Sequence, residues 1–461
     1  MEPEELAAAL KELVDWAHEH APEPEPPIRR RLREHLGGDP RELPVVSRPV
    51  ALWDRPNFQV AIDAWSAGRE VEVAGLPPMQ GYRAGLAELV RGPEFLTNIQ
   101  LGAVEHVTVP LGEHDSIVCV QSGLWLLRDA EGPLVFMLKS DDRGMGESLV
   151  VEAMAPERAR GERALAEVWA LMRERNVYRG RVLELRQRHF HGQEGAPLTV
   201  RTLPPIARDR IVLPPGVLER VERQAFGIAE HAARLRAGGR HLRRGVLLHG
   251  PPGTGKTLTA MYLAARMTGR TVVLLTGQSM GTVGPSIDLA KALQPAMVVL
   301  EDVDLVAMDR SYEPTNAILF ELLNGMDGLD EDHDVLFVLT TNRADLLEPA
   351  LAARPGRIDQ AVELPLPDAD GRQRLIELYG EGLDLTLDGD ATLIAELEGV
   401  SPAFIRELLR RAALLAAEEQ ADGALRVTTA HLRGALDELR RGGGELTNTL
   451  LGARDPNAGA T

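Results

Sequence analysis

The sequence predicts an α/β protein: a parallel sheet with a helical lid after it, and a separate mixed α/β domain before it. Short apolar runs alternate with helical patterns between residues 203 and 369. Continuous apolar strands between helices are typical of a parallel sheet that is covered on both faces. The strand pattern ends near residue 370 and only helical patterns continue, which predicts a lid built of helices.

The first 40 residues are predicted to form a helical segment and a spacer. Apolar residues recur at helical spacing between residues 4 and 20. The stretch APEPEPP at 21–27 is rich in proline, which is typical of a spacer. Residues 1–40 are therefore expected to precede the first folded domain.

Residues 41–202 are predicted to form the mixed α/β domain. VEHVTVPL, SIVCVQSGLWLLRD and GPLVFMLKSDD have strand patterns, and DAEG at 129–132 predicts a hairpin turn. A long helix with a proline at its start follows, and VYRGRVLEL is expected to close the domain as a strand. Trp125, Phe136 and Met137 are expected in the core of this domain.

Residues 203–369 are predicted to carry the parallel sheet. The strand-like segments are GVLLHG, TVVLLTG, AMVVLEDVD and DVLFVLTTN, with helical segments between them. Residues 370–441 are predicted to form the helical lid. The glycine-rich end at 442–461 is expected to be a flexible tail.

Composition limits the possible functions. The net charge of −18 argues against general nucleic-acid binding, which needs a basic surface. The single cysteine, Cys119, allows no internal disulfide and favours a reducing compartment. The sequence contains no apolar run of the length that spans a bilayer, and its amino terminus lacks the apolar core of a signal peptide. These features predict a cytoplasmic protein without a membrane segment.

A glycine-rich stretch between a predicted strand and a predicted helix is the strongest chemical signal. GPPGTGKT at 250–257 fits the pattern of a phosphate-binding loop, whose backbone N–H groups surround the phosphates of ATP. Lys256 is expected to reach the β- and γ-phosphates, and the Thr257 hydroxyl to bind Mg²⁺. The predicted nucleotide-binding residues here are Gly250, Pro251, Pro252, Gly253, Thr254, Gly255, Lys256, Thr257 and Leu258.

Two acids end a later strand, in VVLEDVD at 298–304. ATP hydrolysis requires a carboxylate near the metal and a group that orients water. Glu301 is expected to be the second ligand of Mg²⁺, and Asp302 to polarise the attacking water. Asp304 is the alternative catalytic acid if the register along this strand end differs.

Residues 210–440 resemble the AAA+ ATPases, and within them the AAA family proper. The resemblance rests on GPPGTGKT, VVLEDVD, ELLNGMDGL, VLTTNRADLLEPAL and ARPGRID, which occur in the family's order. It implies an ATPase of the AAA+ P-loop fold, active as a homo-oligomer that is most often a hexameric ring. A partner or substrate protein would then be recruited by the domain at 41–202.

The same resemblance implies further site residues. Asn342 matches the sensor that holds the attacking water. Arg354 and Arg357 match the arginine fingers that reach the ATP of a neighbouring subunit. Backbone near Ile211 and Val212 is expected to contact adenine, together with the lid turn at Ser401–Ala403. Arg406 matches a second sensor of other AAA+ branches, where it either touches the γ-phosphate or only decorates a helix.

The sequence also departs from the family's pattern. The family's usual acid order is Asp then Glu, whereas this chain has Glu301 then Asp302. The pore loop normally carries an aromatic residue, but SMGTVGPS at 279–286 has none, and Met280 or Val283 is the nearest candidate. The chain is therefore expected either to remodel or unfold a protein partner, or to act as an ATP-dependent switch or assembly chaperone without threading. A P-loop kinase acting on a small molecule is a third and weaker alternative.

Overall fold

The computed structural model divides the chain into two compact units. The amino-terminal unit comprises Met1–Val109 and Ser116–Val177, and the carboxy-terminal unit comprises Pro110–Asp115 and Tyr178–Thr461. The structure describes residues 25–76, 84–93, 98–141, 148–185, 198–240, 242, 244–304, 321–322, 324–326, 333–345, 358, 360–386, 391–420 and 423–442, together with Lys11 and Trp16. The predicted helix at 4–20 falls almost entirely outside these residues. Within them, no helix is long and apolar enough to cross a membrane.

The amino-terminal unit is a sheet with helices on both faces. Its strands pair in the order β1–β6–β5–β4–β2, all antiparallel, and β3 also pairs with β4. In chain order its elements are α1 Pro27–Leu36, β1 Val45–Val50, α2 Arg55–Ser66, β2 Glu70–Gly75, α3 Leu86–Arg91, β3 Glu105–Pro110, β4 Ser116–Asp129, β5 Gly132–Asp141, β6 Ser148–Met154 and α4 Arg158–Glu174.

The alternation of side chains along β4 builds two cores. Trp125 and Leu127 pack into a cluster with residues of α2 and α4. Leu124 and Leu126 pack into a second cluster with residues of α1 and α3. Successive residues of a strand point to opposite faces, so one strand supports helices on both sides of the sheet.

Two local predictions for this unit are confirmed. Asp129 pairs with Gly132 across the turn between β4 and β5, as the DAEG hairpin requires. Trp125, Phe136 and Met137 are buried.

The carboxy-terminal unit contains a seven-stranded sheet in the order β13–β9–β12–β11–β10–β7–β8. Its pairings are parallel except that of β8 with β7. In chain order its elements are β7 Val182–Leu185, β8 Leu198–Arg201, α5 Val217–Glu222, α6 Ile228–Glu230, α7 Ala232–Ala237, β9 Arg244–His249, α8 Lys256–Arg266, β10 Thr271–Leu275, α9 Val283–Ala292, β11 Ala296–Leu300, β12 Val335–Thr341, β13 Gln360–Glu363, α10 Ala369–Tyr379, β14 Asp384–Thr386, α11 Ala391–Glu396, α12 Pro402–Glu419, β15 Arg426–Thr428 and α13 Thr429–Gly442.

The boundary between the units lies before the position at 202/203 that the sequence suggested. The strand VLEL was expected to close the first domain, but it is β7, and it pairs with β10 from Val182↔Val272 to Glu184↔Leu274. A strand pattern shows that a segment is extended, but not which sheet edge it joins. The proline-rich joint therefore follows β8 inside the second unit.

The segment after residue 369 has its own core, in which residues of α10, α11, α12 and α13 cluster. This segment, the lid, is not purely helical as predicted, because β14 and β15 form a short parallel pair. Three-residue strands are too short to give a clear alternation in the sequence.

The parallel sheet brings three strand ends to one edge. His249 at the end of β9 is level with Thr341 at the end of β12, and Leu300 at the end of β11 is level with Leu339. The residues that follow these ends are the glycine loop, the acid pair and Asn342. Ligands of open α/β sheets bind at this carboxyl edge.

Candidate nucleotide-binding site

The glycine loop requires glycine for two physical reasons. Gly250, Gly253 and Gly255 have φ values of 146°, 77° and 91°, a region that other residues rarely adopt. A Cβ on Gly250 would lie 2.3 Å from the Leu364 carbonyl oxygen, and one on Gly253 would lie 2.7 Å from Ser401 Oγ. The loop is therefore packed against both the sheet and the lid.

Lys256 is the first residue of α8 and directly follows the glycines of the loop. Its side chain is buried, and Nζ donates hydrogen bonds to the carbonyl oxygens of Gly250 and Pro251, each at 2.8 Å. Burial lowers the pKa of Lys256 to about 8, while the Asp302 and Asp304 carboxylates oppose that shift. The Thr254 hydroxyl donates to the Pro251 carbonyl at 2.9 Å and braces the same loop.

Glu301 and Thr257 form a pair suited to a divalent cation. Burial raises the pKa of the Glu301 carboxyl, and the nearby Thr257 hydroxyl opposes that shift. Glu301 Oε1 is buried and has no hydrogen-bond partner among the described residues. A hard cation bound by oxygen ligands would satisfy this oxygen, so the donor set fits Mg²⁺.

Asp302 has an unusual backbone. Its φ of 48° makes it the one non-glycine residue with positive φ in the described part of the chain. Such a conformation costs on the order of 1–3 kcal/mol and persists where neighbouring groups hold it. The Asp302 N–H donates to Thr340 Oγ1 at 3.0 Å, and Asn342 Nδ2 donates to Asp302 Oδ1 at 3.3 Å. Burial and the nearby Asp304 raise the pKa of Asp302.

Asp304 is occupied by structural contacts. It is buried, and its Oδ1 accepts hydrogen bonds from the Thr341 hydroxyl at 2.9 Å and the Asn342 N–H at 3.1 Å. These contacts tie the start of the segment after β11 to the end of β12. Of the two acids, Asp302 is the one that shares a contact with the Asn342 side chain.

The loop, Asp302, Asn342 and the lid surround one cavity of about 990 Å³, which Glu301 and Asp304 do not line. Lys256, Thr257, Asp302 and Asn342 line its polar part. Its other lining residues come from the loop, the first turn of α8 and the lid, namely Pro252, Gly253, Gly255, Leu258, Tyr379, Glu381, Leu383, Pro402, Ala403, Arg406, Glu407, Leu409, Arg410 and Ala413. The cavity is therefore lined by the loop and several polar side chains, and also by several apolar side chains of the lid.

The two lid arginines that line the cavity differ in their partners. Arg410 pairs with Glu407 at 2.7 Å, and this arginine is the main cause that lowers the pKa of Glu407 to about 2. Arg406 is exposed and forms no ion pair with a described residue. Its guanidinium is therefore available to an anion in the cavity.

The predicted adenine contacts are found only in part. Pro402 and Ala403 line the cavity, and the Ala403 N–H donates to the Gly253 carbonyl at 3.3 Å. Ile211 and Val212 are buried in the sheet core and the lid core, and their side chains do not line the cavity. Sequence reasoning missed Tyr379, the half-buried last residue of α10, which does line it.

Three further predicted residues cannot be placed. Arg354 and Arg357 lie outside the described residues, as does the Met280 side chain. Val283, the other pore-loop candidate, is fully buried at the start of α9. Val283 is therefore a core residue, which leaves Met280 as the pore-loop candidate.

Comparison with known proteins gives a matching family. The model of the ATPase family associated with various cellular activities (AAA) matches residues 246–366. The chain is 33% identical over 211 residues to a proteasome-activating nucleotidase of Methanothermobacter thermautotrophicus, covering 42% of this chain and 50% of that protein. It is 34% identical over 194 residues to a 26S proteasome regulatory subunit 10B of Dictyostelium discoideum, covering 39% and 49%. The chain spans about half the length of the curated relatives it matches.

Proposed function

We infer from the AAA ATPase domain, which this chain contains at residues 246–366, that the protein hydrolyses ATP to remodel or unfold a protein partner. We propose that it acts as a homo-oligomeric ring, with the hexamer as the expected form. The amino-terminal unit is the proposed site of partner recruitment. The similarity of the chain to a proteasome-activating nucleotidase and to a proteasome regulatory subunit supports an action on proteins.

The observation that carries ATP hydrolysis is the convergence of four side chains on one cavity. Lys256, Thr257, Asp302 and Asn342 come from three segments of the chain and line the same space. The Lys256 ammonium and the loop N–H groups would hold the phosphates. A cavity that only bound nucleotide would not need a carboxylate and an amide side by side at its polar end.

Magnesium would be held by Thr257 and Glu301 together with the phosphates. When bound, the ion offsets the charge of the phosphates and the charge that develops on them during transfer. The buried Glu301 Oε1 atom without a partner supports this assignment.

Asp302 and Asn342 are the proposed water-orienting pair. The Asp302 carboxylate can accept a hydrogen bond from water, and the Asn342 amide, 3.3 Å from Asp302 Oδ1, fixes the orientation of that carboxylate. Arg354 and Arg357 are proposed to reach the ATP of the next subunit, where such an arginine is worth about 10³-fold or more in rate.

A regulatory switch or assembly chaperone is the second candidate. Val283 is buried, and the segment 279–286 holds no aromatic residue to grip an unfolded chain. These observations favour partner binding and release without threading. They do not bear on ATP hydrolysis itself.

The first test measures phosphate release by the purified full-length chain. Lys256→Ala should lose ATP binding, and Asp302→Asn should bind Mg·ATP but stop hydrolysis, because a neutral amide cannot take up the proton of the attacking water. Asp288→Asn is the matched control, since Asp288 is an exposed acid on α9 and should leave hydrolysis unchanged. Parental rates in Asp302→Asn would remove this residue from the proposed mechanism.

A second test separates the two candidate functions. The Asp302→Asn variant should bind a partner in the presence of ATP and retain it. The wild-type chain should bind the same partner and release it during turnover. Amide hydrogen exchange of the released partner measures what happened to its core. Unfolding predicts labelling throughout the partner, whereas a switch predicts that its core stays protected.

A further inference from the structure

Thr340 is a buried residue near the carboxyl end of β12 that touches the backbone of Asp302. Its Oγ1 accepts the Asp302 N–H at 3.0 Å. The sequence motifs pointed to Asn342 in the TTN stretch at 340–342, but gave Thr340 no role. Its hydroxyl therefore needs an explanation of its own.

This hydrogen bond extends the pairing of β11 with β12 beyond their last backbone pair, Leu300 with Leu339. The Glu301 N–H donates to the Leu275 carbonyl of β10 at 3.1 Å, on one side of β11. Successive residues of a strand in a parallel sheet alternate between their two neighbours, so the Asp302 N–H faces β12. There the Thr340 hydroxyl stands where a backbone carbonyl would otherwise accept the bond.

The bond acts on the peptide group that joins the two acids of the site. The Asp302 N–H belongs to the Glu301–Asp302 peptide, which lies between the proposed metal ligand and the proposed water-orienting residue. Asp302 holds a φ of 48°, which a residue with a side chain adopts only when its surroundings impose it. Without the hydroxyl, this partly buried N–H loses its protein acceptor, and rotation of the peptide would redirect the Asp302 carboxylate.

We propose that Thr340 is a positioning residue for hydrolysis, which holds the Asp302 carboxylate in its productive orientation through the backbone. This inference rests on the proposed ATPase function. The role belongs to the chemical step, because Thr340 does not line the cavity in which the nucleotide would bind. A displacement of about 1 Å at reacting groups can reduce a rate by about 10²-fold.

The test compares two variants of Thr340 in the full-length chain. Thr340→Val keeps the shape of the side chain and removes the acceptor, so kcat should fall between about tenfold and 10²-fold while ATP affinity stays near that of the wild type. Thr340→Ser keeps the hydroxyl and should retain most of kcat. Steady-state phosphate release gives kcat and KM, and calorimetry gives the affinity.

Thr271→Val is the matched control for loss of a buried threonine in the same sheet. Thr271 is fully buried at the start of β10, at the edge opposite the acids. Its hydroxyl donates to the Leu293 carbonyl at 2.9 Å and accepts from the Gly180 N–H at 3.0 Å. Thr271→Val should lower thermal stability at least as much as Thr340→Val, with kcat unchanged.

Each outcome decides the inference. An unchanged kcat in Thr340→Val overturns it and leaves the proposed function standing. Equal losses of kcat and ATP affinity, or a loss of kcat in Thr271→Val as large as in Thr340→Val, show a general structural role and also overturn it. A wild-type chain that does not hydrolyse ATP removes the proposed function together with this inference.

Discussion

Replacing Gly253 by alanine should open the contact between the phosphate loop and the lid. The added Cβ would lie 2.7 Å from Ser401 Oγ and 2.8 Å from Ala403 Cβ, so the first turn of α12 must move. Two of the hydrogen bonds at that turn lie next to the added methyl group: Ser401 Oγ accepts the Phe404 N–H at 3.2 Å, and the Ala403 N–H donates to the Gly253 carbonyl at 3.3 Å. The variant should weaken both.

The size of the effect follows from these two bonds. Loss of a helix cap costs about 1 kcal/mol, and loss of one net hydrogen bond costs about 1 kcal/mol. Their sum of about 2 kcal/mol corresponds to roughly thirtyfold faster opening of this turn. Amide hydrogen exchange measured by mass spectrometry on a peptide covering Ser401–Phe404 reports that opening directly.

Gly255→Ala is the matched control. Gly255 also has a positive φ, of 91°, but nothing lies within 4 Å of its added Cβ. Both variants carry the cost of alanine in the left-handed region, about 1–2 kcal/mol. Amide hydrogen exchange at residues 401–404 should therefore be faster in Gly253→Ala than in Gly255→Ala. Equal exchange in the two variants would refute the lid contact as the cause.

Three other predictions concern charges at the site. The neutral amine of Lys256 attracts phosphates poorly, so ATP affinity should be constant below its pKa of about 8 and fall about tenfold by pH 9. Calorimetry measures this affinity. Equal affinity from pH 7 to 9.5 would contradict the prediction. Glu301→Gln should raise the Mg²⁺ concentration needed for half-maximal hydrolysis, whereas Asp288→Asn should not. Arg354→Ala and Arg357→Ala should bind ATP but hydrolyse it about 10³-fold more slowly. Mixing either with Lys256→Ala subunits should restore some phosphate release, and full activity of both variants alone would contradict a role in trans.

The sheet was predictable because its three central strands are mostly apolar and buried. All residues of β10, β11 and β12 are buried, so the sequence signal there is a continuous run between helices. β7 has a similar but shorter run, and its sequence could not show that it joins β10 instead of the preceding sheet. The domain boundary depended on that pairing, which is a tertiary property.

The site was predictable where chemistry constrains the backbone. A loop that surrounds phosphates needs glycines, and the positive φ values of Gly250, Gly253 and Gly255 agree with that requirement. Tyr379 was missed because nothing in a single tyrosine at a helix end indicates that it faces a cavity. The choice between Met280 and Val283 stayed open because a position in a motif does not reveal burial.

The reversed acid order can be understood from the lengths of the two side chains. Glu301 has the longer side chain and lies near the Thr257 hydroxyl on α8, and its buried Oε1 has no hydrogen-bond partner among the described residues. Asp302 is shorter, and its left-handed backbone and the Asn342 amide hold its carboxylate at the end of the neighbouring strand. The proposed metal ligand is thus the acid that extends towards another element, and the proposed water-orienting residue is the acid that the backbone itself positions. Glu301→Asp would shorten the side chain that has to extend towards α8. Asp302→Glu would lengthen the side chain whose orientation is already fixed.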